Sequence, residues 1–83
     1  MRKPSSLKYS RLADYLHNFG SNRITITFRE IEKIIGEELP PTAYKHRQFW
    51  ENSISHSQAK SWLNAGYKTV EVAMGRYITF ESN

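Results

Sequence analysis

The residues best suited to chemistry stand close together in the chain. Arg47, Asn52 and His56 lie within one short stretch, and Ser57, Lys60, Ser61 and Asn64 follow directly. An arginine, an amide and an imidazole at this spacing suit contact with a polyanion. Arginine and lysine pair with phosphate, serine hydroxyls bond phosphate oxygens, and an asparagine amide can pair bidentately with adenine. Arg76, in a Met-Gly-Arg turn, could enter a minor groove or touch phosphate. Arg2 and Lys3 add two cations at the N-terminus. Each feature also has a plain structural account. The Ser57–Asn64 side chains make an ordinary solvated helix face. His56 can be a capping residue, and Asn52 can close a turn.

Other chemistries find little support. The chain has no cysteine, and His17, His46 and His56 lack metal-ligand spacing, so no metal or cofactor is expected. Asp14 is the only aspartate, and no nucleophile–base order or phosphate loop is visible. Glu30 and Glu32 fall in the first turn of an expected helix, where the dipole favours negative charge without any catalytic role. The reading is a protein that is not an enzyme.

The elements that must position these residues follow from pattern. Pro4, Ser5 and Ser6 oppose regular structure, so residues 1–8 read as a flexible basic arm ahead of one domain over 9–83. Ser10 is a plausible cap for a first helix carrying Leu12, Tyr15, Leu16 and Phe19, stopped by Gly20. Ile24, Ile26 and Phe28 alternate with Thr25 and Thr27, the mark of a half-buried strand. A second helix places Phe28, Ile31, Ile34 and Ile35 on one stripe and ends at Gly36. Thr42 would cap a third helix over 43–51, with Ala43, His46, Phe49 and Trp50 sharing a face. Ser55 or Ser57 would cap a fourth, with Ala59, Trp62 and Leu63 inward and Gly66 closing it. Two strands joined at Gly75 finish the chain, with Val70, Val72 and Met74 on one face of the first.

This order, α-β-α-α-α-β-β with a small three-stranded antiparallel sheet, is an α+β, winged-helix-like arrangement. The helix before the hairpin is the usual reader in that arrangement. Trp62 is expected in the core. Phe49 and Trp50 are adjacent, so one of them could be a stacking platform for a base or a partner's anchor.

The net charge is +4 in 83 residues, and it is unevenly spread. Residues 1–29 set six Lys/Arg against Asp14, residues 30–41 carry four glutamates against Lys33, and residues 42–68 set four basic residues against Glu51. Basic segments flanking an acidic one suit a polyanion on one face. No apolar run approaches the roughly 20 residues of a membrane span, and the basic N-terminus lacks a signal peptide's apolar segment. A soluble protein of the cytoplasm, bacterial or of a phage-infected host, is expected.

Leu39, Pro40 and Ala43, then Arg47, Phe49, Trp50 and Asn52, then His56, Ala59, Trp62, Leu63, Ala65, Gly66 and Tyr67 form the pattern LPxxA…RxFWxN…HxxAxxWLxAGY. This pattern resembles a small bacterial and phage domain family of unknown function, over about Tyr9 to Phe80. The resemblance implies a defined domain and no mechanism. Within the pattern, Arg47, Asn52 and His56 are polar types that packing does not demand, which makes them the leading site candidates. They either face a duplex or tie the 40–56 connection together. The reading is a DNA-binding protein acting by occupancy, in regulation or in phage–host conflict. The alternative is a protein-binding module, such as a phage-encoded inhibitor of a host nuclease or defence complex.

Overall fold

The computed structural model describes residues 7–82. Helix α1 spans Leu7–Phe19 and buries Tyr9, Leu12 and Leu16. It begins a turn earlier than expected, so Ser10 lies inside it and Leu7 and Lys8 belong to the helix, not to an arm. Tyr9 explains the shift: it extends the Leu12–Leu16 stripe by one helical step and must itself be helical to reach the core. Residues 1–6, including Arg2 and Lys3, lie outside the described residues.

Strand β1, Arg23–Thr27, alternates exposed and buried residues as expected. Thr27 ends the strand and caps helix α2, Phe28–Ile35. Its hydroxyl accepts from Glu30 N–H at 3.0 Å while the Glu30 carboxylate accepts from Thr27 N–H at 2.9 Å. Gly36, at φ +84°, closes α2 in the left-handed conformation.

The expected third helix is two elements. Helix α3 spans only Pro41–Lys45, with Pro40 as its cap and Thr42 inside it. His46 is extended, at φ −121° and ψ 117°, and a 3-10 turn, Arg47–Trp50, follows. In a continuous helix the Ala43 carbonyl would accept from Arg47 N–H. Here the Trp50 indole takes that carbonyl at 3.0 Å. The break sends Trp50 into the core and leaves His46 exposed, not on the inner face.

Helix α4, Ser57–Asn64, buries Ala59 and Trp62, and its cap position is His56, with no side-chain capping bond from Ser55 or Ser57. Strands β2, Tyr67–Ala73, and β3, Tyr77–Ser82, complete an antiparallel sheet of order β1-β3-β2. The α-β-α-α-α-β-β order is therefore present, with the 3-10 turn added before α4.

The phase of β2 differs from expectation up to Val70 and matches it at Val72 and Met74. Tyr67 and Thr69 point inward, and Val70 is 41% exposed. The register shifts between Thr69 and Glu71, so the extra residue is Val70, and Val72 returns to the core side. A bulge of this kind inserts one unpaired residue and reverses the alternation beyond it.

The core is an aromatic row. Phe28 meets Trp50 at 5.2 Å between centroids, Trp50 stacks on Trp62 at 5.8 Å, and Trp62 meets Phe80 edge-on at 5.5 Å. Both tryptophans are fully inside, so neither is a platform; Phe49, half-buried, packs on Tyr9 and Trp50. The outer face of the sheet is polar and paired with itself: Arg23 bonds Glu81 at 2.8 Å, and Tyr77 donates to Glu71 at 3.0 Å.

Candidate functional site

The candidate residues separate into three places. The first is the free edge of β2. Asn52 is exposed as a residue, but its amide turns inward. Oδ1 accepts from Thr69 N–H at 2.8 Å and from the Trp62 indole at 3.0 Å, and Nδ2 donates to the Thr69 carbonyl at 3.0 Å. The Thr69 hydroxyl is 2.8 Å from the Trp50 carbonyl and 3.1 Å from Asn52 Oδ1. It has one proton, so the shorter bond is the better donor direction. Arg47 donates to the Val72 carbonyl at 3.2 Å. These side chains occupy backbone groups that an edge strand would otherwise offer to another chain.

The second place is the outer face of α4. Ser57, Lys60, Ser61 and Asn64 line one wall of an open groove of about 460 Å³, and Ser10, Ala13 and Asp14 of α1 line the other. Ile54, 74% exposed, and Ser55 close one side. Small side chains on both helices keep the groove wide. Neither Lys60 nor Asp14 lies within 4 Å of an opposite charge among the described residues. Sequence reasoning did not see Ser10, Asp14 or Ile54 here. The signal was present: burying Tyr9, Leu12 and Leu16 turns Ser10, Ala13 and Asp14 to one flank of α1.

The third place is the β2–β3 turn, where Arg76 is exposed and its carbonyl accepts from Phe28 N–H at 3.0 Å. His56 stands between the first two places. Its carbonyl accepts from Lys60 N–H, and its Nδ1 is buried with no hydrogen-bond partner among the described residues.

One further contact bears on the turn. Glu32 accepts from the Tyr44 hydroxyl at 2.7 Å and from Leu39 N–H at 3.0 Å. These donors, led by the hydroxyl, hold the Glu32 carboxyl below its ordinary range; the same bond pushes the Tyr44 hydroxyl up. Among the described residues, no group of three or more His, Asp or Glu side chains is placed to hold a metal ion. No described helix is long and apolar enough to cross a membrane.

Fold and site together define a small α+β domain with a three-stranded antiparallel sheet and an uncovered polar helix face. The chain belongs to the family described as domain of unknown function DUF7662, whose family model matches residues 9–83. No curated protein and no solved structure matches it.

Proposed function

We propose that this domain is a non-enzymatic double-stranded-DNA-binding protein that acts by occupancy, with α4 as the reading helix. The observation that carries the reading is the division of α4. Ala59 and Trp62 are fully buried, while Ser57, Lys60, Ser61 and Asn64 stand together on an uncovered face. An α-helix with its side chains is about 10–12 Å across, which the roughly 12 Å major groove admits. Lys60 supplies phosphate contact, Asn64 an amide able to pair with adenine, and the serines hydroxyls for either. The connectivity supports the same reading, since α4 leads directly into the hairpin, as the reader does in a winged helix.

Asn52 and Arg47 have a different part in this reading. The Asn52 amide and one Arg47 N–H serve the β2 edge, and they hold the segment that orients α4. The test is titration of a random duplex at low salt against wild type, Lys60→Ala and Asn64→Ala. Weaker binding by both variants at unchanged thermal midpoint supports the reading, and equal binding by all three removes α4 from it.

A second reading has its own observation. Ile54 and Asp14 both line the α4 groove, and an exposed isoleucine beside a carboxylate suits a protein partner better than a phosphate backbone. A protein-binding module, such as a phage-encoded inhibitor of a host nuclease or defence complex, would use that groove. Ile54→Ser separates the two without adding charge: it should abolish a protein complex and leave the contacts of Lys60 and Asn64 with a duplex in place.

A further inference from the structure

The fold gathers cations that lie far apart in sequence at one end of the sheet. Thr27 pairs with Tyr77, and Phe28 N–H donates to the Arg76 carbonyl, so Arg29 starts α2 beside the β2–β3 turn. The Tyr44 ring packs on Phe28 at 5.1 Å, which brings Lys45 to the same end. Arg47 reaches the Val72 carbonyl, and Val72 adjoins Ala73, whose carbonyl accepts from Arg76 N–H. Arg29, Lys45, Arg47 and Arg76 are all exposed. None lies within 4 Å of a carboxylate among the described residues.

Three of the nearby carboxylates already have other partners. Glu30 bonds Thr27 N–H, Glu32 bonds Leu39 N–H and Tyr44, and Glu71 is held by Tyr77 and Arg23. Glu51 shares a small cleft with Arg47 without forming an ion pair, and Glu38 acts on the Tyr44 hydroxyl through its charge alone. The charge of Arg29 also reaches Glu32 and Tyr44, and that of Arg76 reaches Tyr77, which places both near this end.

We infer that Arg29, Lys45, Arg47 and Arg76 form a second contact surface, at the hairpin end of the sheet, for the phosphate backbone of double-stranded DNA. The inference rests on the duplex-binding reading and adds to it a surface that α4 does not contain. The four cations come from four elements, α2, α3, the 3-10 turn and the β2–β3 turn, with no shared helix face, so no common packing demand explains their type. They are three guanidinium forks and one ammonium, all donors suited to phosphate oxygens. Arg47 uses one of its five N–H donors on Val72 and keeps the others.

The experiment is duplex affinity against salt for wild type, for Arg29→Ala/Lys45→Ala/Arg76→Ala, for a charge-preserving Arg29→Lys/Arg76→Lys variant, and for Lys60→Ala/Asn64→Ala. Arg47 stays intact because it braces β2. The triple variant should lower the slope of log affinity on log salt by roughly 2.7, about 0.9 per lost phosphate contact. The charge-preserving variant should keep the wild-type slope, which separates a charge effect from misfolding. A triple variant with the wild-type slope, beside a weakened α4 variant, overturns this surface and leaves the α4 reading standing. The opposite pattern keeps the surface and removes α4. Wild type that binds poly-glutamate but no duplex at low salt overturns both and assigns the cations to an acidic protein.

Discussion

The side-chain amide of Asn52 pairs with both backbone groups of Thr69, Oδ1 to the N–H at 2.8 Å and Nδ2 to the carbonyl at 3.0 Å. An amide presents a donor and an acceptor side by side, as a neighbouring strand does. Asn52 thus serves as a one-residue strand on the β2 edge, and its Oδ1 also receives the buried Trp62 indole. Asn52→Ala should lower stability by about 2–3 kcal/mol, because it leaves the indole and the Thr69 groups short of partners. Asn52→Asp should also destabilise, since it sets an oxygen against the Thr69 carbonyl. Urea denaturation measures both. If Asn52→Ala unfolds at the wild-type midpoint, the brace is not what holds this edge.

Trp62 is fully buried between Trp50 and Phe80. Trp62→Ala should cost about 3–5 kcal/mol, a large share of the stability of so small a domain. Circular dichroism should show loss of cooperative folding; a melt near the wild-type midpoint contradicts the aromatic row as the core.

Glu32 links α2 to α3 through Tyr44 and to the chain at Leu39. Its folded-state pKa lies below its unfolded value. The link therefore contributes stability above that unfolded value, about 4.3, and loses it as pH falls through the folded value. The thermal midpoints of wild type and Glu32→Gln should differ at pH 7 and converge in acid below the carboxylate range. A constant gap across pH would mean that the charge of Glu32 is irrelevant to the link.

Gly36 has φ +84°, and a Cβ there would stand 2.7 Å from the Arg11 guanidinium. The arginine tip can move, but the backbone cannot relax as easily. Gly36→Ala should cost about 1 kcal/mol or more, chiefly through the left-handed conformation. A thermal midpoint unchanged from wild type would show that the α2 stop does not require glycine.

Much of the fold was legible because its signals are local. The Ile24–Ile26–Phe28 alternation, the Ile31–Ile35 stripe and the glycine stops all appear where pattern placed them. The misses arose where tertiary bonds overrode local pattern. The Trp50 indole captured a helix carbonyl and broke the third helix, and the bulge at Val70 reversed the phase of β2. Neither has a short-range signature. Of the candidate site, the Ser57–Lys60–Ser61–Asn64 face was readable from helical spacing alone. The inward turn of Asn52 was not, because its partner Thr69 is 17 residues away.

The most direct test of the central claim, that α4 faces duplex DNA, is the amide spectrum of isotope-labelled protein titrated with a short random duplex at low salt. The account predicts shifts at Ser57, Lys60, Ser61 and Asn64, beside a second set at Arg29, Lys45 and Arg76, with the buried Ala59 and Trp62 and the amide of Thr69 little changed. Saturating duplex that leaves the α4 resonances unmoved would contradict it.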